Sequence, residues 1–397
     1  MSAVLLKIDE PGTQSARSWA LWALGFRPFY LLAALQAALV VPLWALEFSG
    51  LLPAPALGGS VRHAHEMVFG YSLAVIVGFL FTAGRNWSGQ PTPTDKPLMA
   101  LAALWLLARL LVLSPWAWAS LAANVALPWL AAWGLWRALR AGNNRRNYFF
   151  VGLLVAMGMA SAVIHLGQMG LLQLPGGFGL PLALDIVLFM IAVMAGRVVP
   201  MFTNNGVPGL KARRDDRTEK AALGSVLLLL ALDAIGLNGW PVALACALAL
   251  AVHGRRWWLW QPWGTLRKPL VWVLHAAYGW LLIHLLLRAG AELGWLPAGP
   301  ATHALTLGVI GTITLGMITR TALGHTGRPL RAGRIETGAY LAMLLAAAVR
   351  VFMPLLQPQA LLGSVQLSAL LWSLAFGLYL WRYTPILLRP RLDGQPG

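Results

Sequence analysis

Charge is scarce in this sequence: only 11% of its 397 residues are Asp, Glu, Lys or Arg. Soluble domains carry about 25%. Cysteine is nearly absent too. The single Cys246 excludes an intrachain disulfide, a thiolate metal cluster and haem attachment through Cys-x-x-Cys-His. No nucleotide-binding loop, hydrolase elbow or zinc-protease motif occurs. The first residues, Met1 to Ser18, lack the apolar core and cleavage site of a signal peptide and read as a polar tail. Acidic residues are the rarer sign, 13 against 30 Lys and Arg, for a net charge of +17. The basic residues fall in loops and form no stripe, which argues for membrane topology and against nucleic acid.

Apolar sequence fills the space that charge leaves. Hydrophobic residues make up 58%, with a mean hydropathy of +0.68. A bilayer-crossing helix takes about 20 mostly apolar residues. Twelve such stretches are present: 27–48, 62–84, 97–114, 116–137, 148–172, 179–202, 220–237, 240–257, 268–289, 301–323, 336–356 and 363–386. They leave no room for a soluble catalytic domain. All basic residues but Arg62, Arg109, Arg288 and Arg350 fall on one side of the alternating spans, which the positive-inside rule assigns to the cytoplasm. The expected fold is an all-α polytopic membrane protein with twelve transmembrane helices and both termini cytoplasmic. It forms a single membrane domain over 1–397, with tails 1–26 and 387–397. The four exceptional arginines sit near outer span ends, where they either snorkel to headgroups or pair with anionic groups of a bound cofactor.

Spans 2 and 10 align without a gap at an offset of 238: His65 on His303, Gly70 on Gly308, Gly78 on Gly316, Gly89 on Gly327 and Pro91 on Pro329. Span 6 joins more weakly through Gly206-Val207-Pro208. One repeat every four spans predicts a pseudo-threefold arrangement of four-helix units, as in haem-copper oxidases. The two-half plan of many transporters would instead pair spans 1 and 7.

Ionisable side chains inside spans are functional candidates by default. His63, His65 and His303 fall at outer span ends, His165 and His284 in outer halves, His275 deeper, and His253 and His325 at the cytoplasmic surface. Imidazoles gathered at one depth without thiol suit haem iron, copper or zinc. A single such histidine is as often a packing residue. Residues two apart point about 200° from each other on a helix, so His63 and His65 serve different centres if the helix has already begun there, and could both reach one copper ion if it starts later. His63 shares a face with Met67, and His165 with Met169, pairs suited to Cu(I). Glu66 either orients a ligand or carries a proton. Tyr278, one turn after His275, is a candidate hydrogen-bond or electron donor. For Asp185 and Asp233, interfacial capping is as good a reading.

With His63-Ala-His-Glu-Met-Val-Phe-Gly-Tyr71 in view, the chain resembles the NnrS family of bacterial inner-membrane proteins. Asn86-Trp-Ser-Gly-Gln-Pro91, Gly196-Arg-Val-Val-Pro-Met-Phe-Thr-Asn-Asn205, Leu274-His-Ala-Ala-Tyr278 and Arg320-Thr-Ala-Leu-Gly-His325-Thr-Gly-Arg-Pro329 carry the resemblance further. It implies non-covalent b-type haem, copper and a part in nitric oxide metabolism. It places His63, His65, His165, His275, His303 and His325 on family-like motifs, together with Arg197, Asn204 and Arg320. Depth adds His284. The expected activity is oxidoreductase, nitric oxide reductase-like, with Glu66 and Tyr278 catalytic and Arg62 and Arg288 beside a haem held by His63 or His65 with His303. The other of His63 and His65 would join His165 and His275 at a second centre. Expected partners are nitric oxide, the lipid bilayer and an electron donor. The alternatives are a non-catalytic sensor or sink, and a transporter of copper or a small metabolite.

Overall fold

The computed structural model describes residues 19–53, 59–172 and 178–395. Among these residues all regular structure is helical. Twelve long rods follow one another: α1 (Phe26–Phe48), α2 (Gly59–Ser88), α3 (Asp95–Val112), α4 (Ala117–Ala141), α5 (Phe149–Gln168), α6 (Gly179–Gly206), α7 (Asp216–Ala234), α8 (Trp240–Leu259), α9 (Pro269–Glu292), α10 (Ala298–His325), α11 (Arg334–Leu356) and α12 (Leu361–Leu388). Each overlaps one apolar stretch of the sequence. Eight of them, α1, α2, α5, α6 and α9 to α12, are long and apolar enough to cross a membrane. The other four are more polar. Charges open α3 and α7, α4 carries Ser120 and Asn124, and α8 carries His253-Gly-Arg-Arg256 near its end.

Local chemistry sets several rod ends. Asp215 caps α7 by accepting from the Thr218 N–H at 2.9 Å. The Thr218 hydroxyl and N–H together hold this carboxylate below its ordinary range. Glu336 reaches back to the Gly333 N–H at 2.8 Å to start α11. Gly89 closes α2 in the left-handed conformation that glycine adopts without strain.

Every rod packs on its chain neighbours, and α12 closes the ring onto α1. Three rods lie inside it: α2 against α1, α3, α4 and α6; α6 against α5, α7 and α9; α10 against α9, α11, α12 and α1. Their apolar windows are 83, 67 and 67% buried, against 39% for α11 and for α12. The inner rods recur every fourth helix, and the repeat extends to backbone detail. Alpha-helix gives way to π-helix over Glu66–Ser72 in α2 and Ala304–Gly311 in α10, two starts 238 residues apart. At the same offset, a Cβ on Gly78 would stand 3.0 Å from Phe29 and one on Gly316 2.8 Å from Val273. Both glycines therefore let the preceding rod, α1 or α9, lie close. Among the described residues α6 has no π segment.

Main-chain bonds tie connections at one end: Asp95 N–H to Trp22 O, Arg213 N–H to Leu259 O and Leu392 N–H to Thr326 O. This is the basic end. The opposite end holds the starts of the three inner rods, where the site forms.

Candidate functional site

The rod α2 is already helical at Gly59, so His63 and His65 point to different sides of it. His65 is fully buried, its Nδ1 3.0 Å from Glu66 Oε1. Glu66 also takes Arg109 Nη1 from α3 at 2.6 Å and Gln36 Nε2 from α1 at 2.8 Å. A carboxylate meeting a guanidinium and an amide is an acceptor, so His65 Nδ1 carries the proton and Nε2 the lone pair. Arg109 is braced by Asn124 of α4, which donates in turn to Ser120 O at 2.9 Å. Gly70 makes room for this network: a Cβ there would stand 2.6 Å from Gln36 Nε2 and 3.1 Å from Arg109 Nη1. The Trp105 indole donates to the Gly70 carbonyl at 2.9 Å, inside the π segment. From α5, His165 meets His65 edge to face, with ring centroids 5.0 Å apart. The Nε2 atoms of both histidines are buried without a protein partner.

On the other side of α2, His63 stacks on Trp44 with centroids 4.0 Å apart. It lines a cavity of about 350 Å³ together with Met67, Tyr71, His303, Arg350 and Trp372. His303 Nδ1–H donates to Gly299 O at 2.8 Å, which leaves its Nε2 lone pair free. Arg62 pairs with Glu47, Arg109 with Glu66 and Arg288 with Asp233. Among the described residues Arg350 alone of these four arginines has no carboxylate partner.

Another cavity, of about 580 Å³, lies between α6, α7, α9 and α10 and shares Leu180, Leu184 and Thr302 with the His63 cavity. His284 lines it, with Nδ1–H donating to Ala301 O at 2.8 Å. Asp185, Asp233 and Arg288 line it too, so both aspartates belong to one polar cluster.

The other expected residues lie elsewhere. Thr203 donates to Val199 O and accepts from His275 Nε2 at 2.8 Å, so His275 faces α6 and not the His65–His165 pair. Tyr278 sits between Arg256, at 3.0 Å, and His253, at 2.5 Å. His253 is fully buried, where the sequence placed it at the surface. Glu219 draws Arg256 inward through a bidentate pair, and Tyr278 and His253 follow it. Arg197 donates to Asn147 at 2.7 Å beside the rings of Phe149 and Phe150. Asn204 clasps Ala212 through both main-chain groups. Arg320 lies 3.8 Å over the Phe202 ring. His325 ends α10 near the Phe26 ring, and its carbonyl accepts from Arg391.

Among the described residues no three His, Cys, Asp or Glu side chains gather to hold a metal ion. The donors come as pairs, His65 with His165 in one place and His63 with His303 around a cavity in another. Sequence reasoning missed Gln36, Asn124 and Glu47. The signal was available, since a carboxylate within an apolar span is unusual and an amide nearly as much so.

A family model described as NnrS protein matches residues 20–391. No curated protein matches the chain.

Proposed function

Because the chain belongs to the NnrS family, its match covering nearly the whole length, we propose that it is a multi-pass protein of the bacterial cytoplasmic membrane acting in the response to nitric oxide. On this reading all twelve rods cross the bilayer as one membrane domain, with the basic end in the cytoplasm. Exposed tryptophans support it: Trp116, Trp240 and Trp295 at one end and Trp258, Trp263 and Trp381 toward the other, where aromatic belts meet lipid headgroups.

The observation that carries the functional reading is the His65–His165 pair. Its two buried, unpartnered Nε2 atoms fit a metal that accepts few nitrogen ligands, of which copper is the candidate. Glu66 acts as a positioning residue, fixing the His65 tautomer in the carboxylate–histidine pattern common at metal sites. The cavity between His63 and His303 fits haem: both histidines line it, its walls are mainly apolar, and Arg350 is there to meet an acidic group. Haem and copper, when bound, supply coordination sites for NO and a route for electrons from a donor protein. The protein's own part is to hold His65 and His303 in fixed tautomers and to exclude water with Trp44, Trp372 and Leu307.

Reducing two NO to N2O and water takes two electrons and two protons. Glu66 already accepts from three donors and makes a poor proton source. That arrangement favours binding without turnover as the second reading. Anaerobic addition of NO to the purified, haem- and copper-replete protein with an artificial reductant separates the two. N2O formation supports the reductase, and stoichiometric NO uptake without N2O supports the sink or sensor. Absence of any NO binding overturns both.

A further inference from the structure

Further along the inner rods, where α2, α6 and α10 meet, lies a small cavity of about 90 Å³. The inner rods line it with Phe79, Met194 and Met317 among others, and the first rod of each four-helix unit adds one side chain: Tyr30, Phe150 or Leu274. It therefore sits on the pseudo-threefold axis. Two of its three hydroxyls are spent on main-chain carbonyls. Ser72 donates to Met67 O at 2.9 Å and Thr314 to Ile310 O at 2.5 Å, and the Tyr30 hydroxyl, buried without a hydrogen-bond partner among the described residues, is a single polar group in an otherwise apolar lining. A water molecule needs two to four polar partners, whereas a dry apolar cavity accepts xenon or small apolar molecules. Ions are kept out by the cost of desolvating charge.

This cavity adjoins the histidine cavity. Ser72 and Ile310 line both, and each lies in the π segment of its rod. Across the same junction Tyr71, a wall of the histidine cavity, donates to Thr314, a wall of the axial one.

We propose that the axial cavity is a holding site for a small uncharged gas molecule, from which NO reaches the histidine cavity. The cargo rests on the functional reading above; the site does not. NO has no charge and little hydrogen-bonding capacity, so it favours this lining over water. A charged relative such as nitrite does not.

Xenon is the probe. Wild-type protein in detergent, studied by 129Xe NMR and in xenon-pressurised crystals, is expected to hold xenon between Met194 and Met317. Met194→Phe and Ala195→Leu, which fill the space from neighbouring positions, should each lose it. In the same variants, NO association with the cofactor-replete protein should slow while the equilibrium amount bound stays unchanged. Two variants guard against one misfolding. Absence of xenon from the wild-type cavity overturns the holding site. Unchanged NO association in variants that have lost xenon overturns delivery. Xenon binding in a protein that takes up no NO removes the cargo and the functional reading together, leaving the cavity standing.

Discussion

Three side chains from three rods converge on the Glu66 carboxylate, and one of them carries a buried positive charge. Breaking a buried ion pair by removing one partner costs about 3–5 kcal/mol, because the other charge is stranded. Glu66→Gln and Arg109→Gln are each expected to lower the thermal midpoint markedly in detergent. The double substitution should lose less than the sum of the two, since neither charge is then left alone. Strict additivity would mean that the two side chains do not act as a pair. Part of this network was legible in the sequence, because His65 and Glu66 stand out as ionisable groups in an apolar run. Tyr278 shows what was not legible. Spacing set it one turn from His275, but helix depth carries no information about which neighbouring rod each side chain meets. His275 turns to Thr203 on α6, and Tyr278 to Arg256 on α8.

The π segments are the distinctive elements. Each follows directly on a histidine, His65 or His303, and each opens its rod where the cavities adjoin. Nothing in residue pattern announced them, because the external contact at Gly70 comes from Trp105, distant in sequence. The matched histidines and glycines did announce the repeat. Gly308, the counterpart of Gly70, has Trp280 where a Cβ would go, with Cδ2 at 2.5 Å. Gly308→Ala should therefore destabilise by about 1–3 kcal/mol through overpacking between α9 and α10. Gly224→Ala is the control, on an open face of α7 with nothing within 4 Å. It should be neutral or stabilising by up to about 1 kcal/mol. Thermal midpoints of the two variants decide the matter, and equal shifts would contradict the close approach of α9 and α10.

At the scale of the whole molecule, each of the twelve apolar stretches overlaps one rod, because a long run of apolar residues broken only by polar turns reads as one helix per run. Eight satisfy length and apolarity outright; the remainder dilute the signal with charges at their ends. The α7 rod is the most informative of these, with Asp216 at the basic end and Asn238 just past the other. Cys246 is buried, so accessibility labelling has a silent background. A membrane-impermeant maleimide should label Asn238→Cys in spheroplasts and Asp216→Cys only after permeabilisation. Labelling of both from the same side would remove α7 from the set of crossings and break the alternation on which the orientation rests. The same view accounts for the many exposed leucines, such as Leu110 and Leu356, as a lipid-facing surface.

The central claim, that paired histidines at the end opposite the basic loops hold redox cofactors, is tested most directly by one measurement. Optical spectra of the purified protein, oxidised and dithionite-reduced, would be recorded with metal analysis on the same samples for wild type, His165→Ala and His303→Ala. Wild type should show a Soret band that shifts on adding NO, with copper present. His165→Ala should lose copper and keep the band, and His303→Ala should lose the band. A colourless, copper-free wild-type protein from haem- and copper-replete cells would contradict the account.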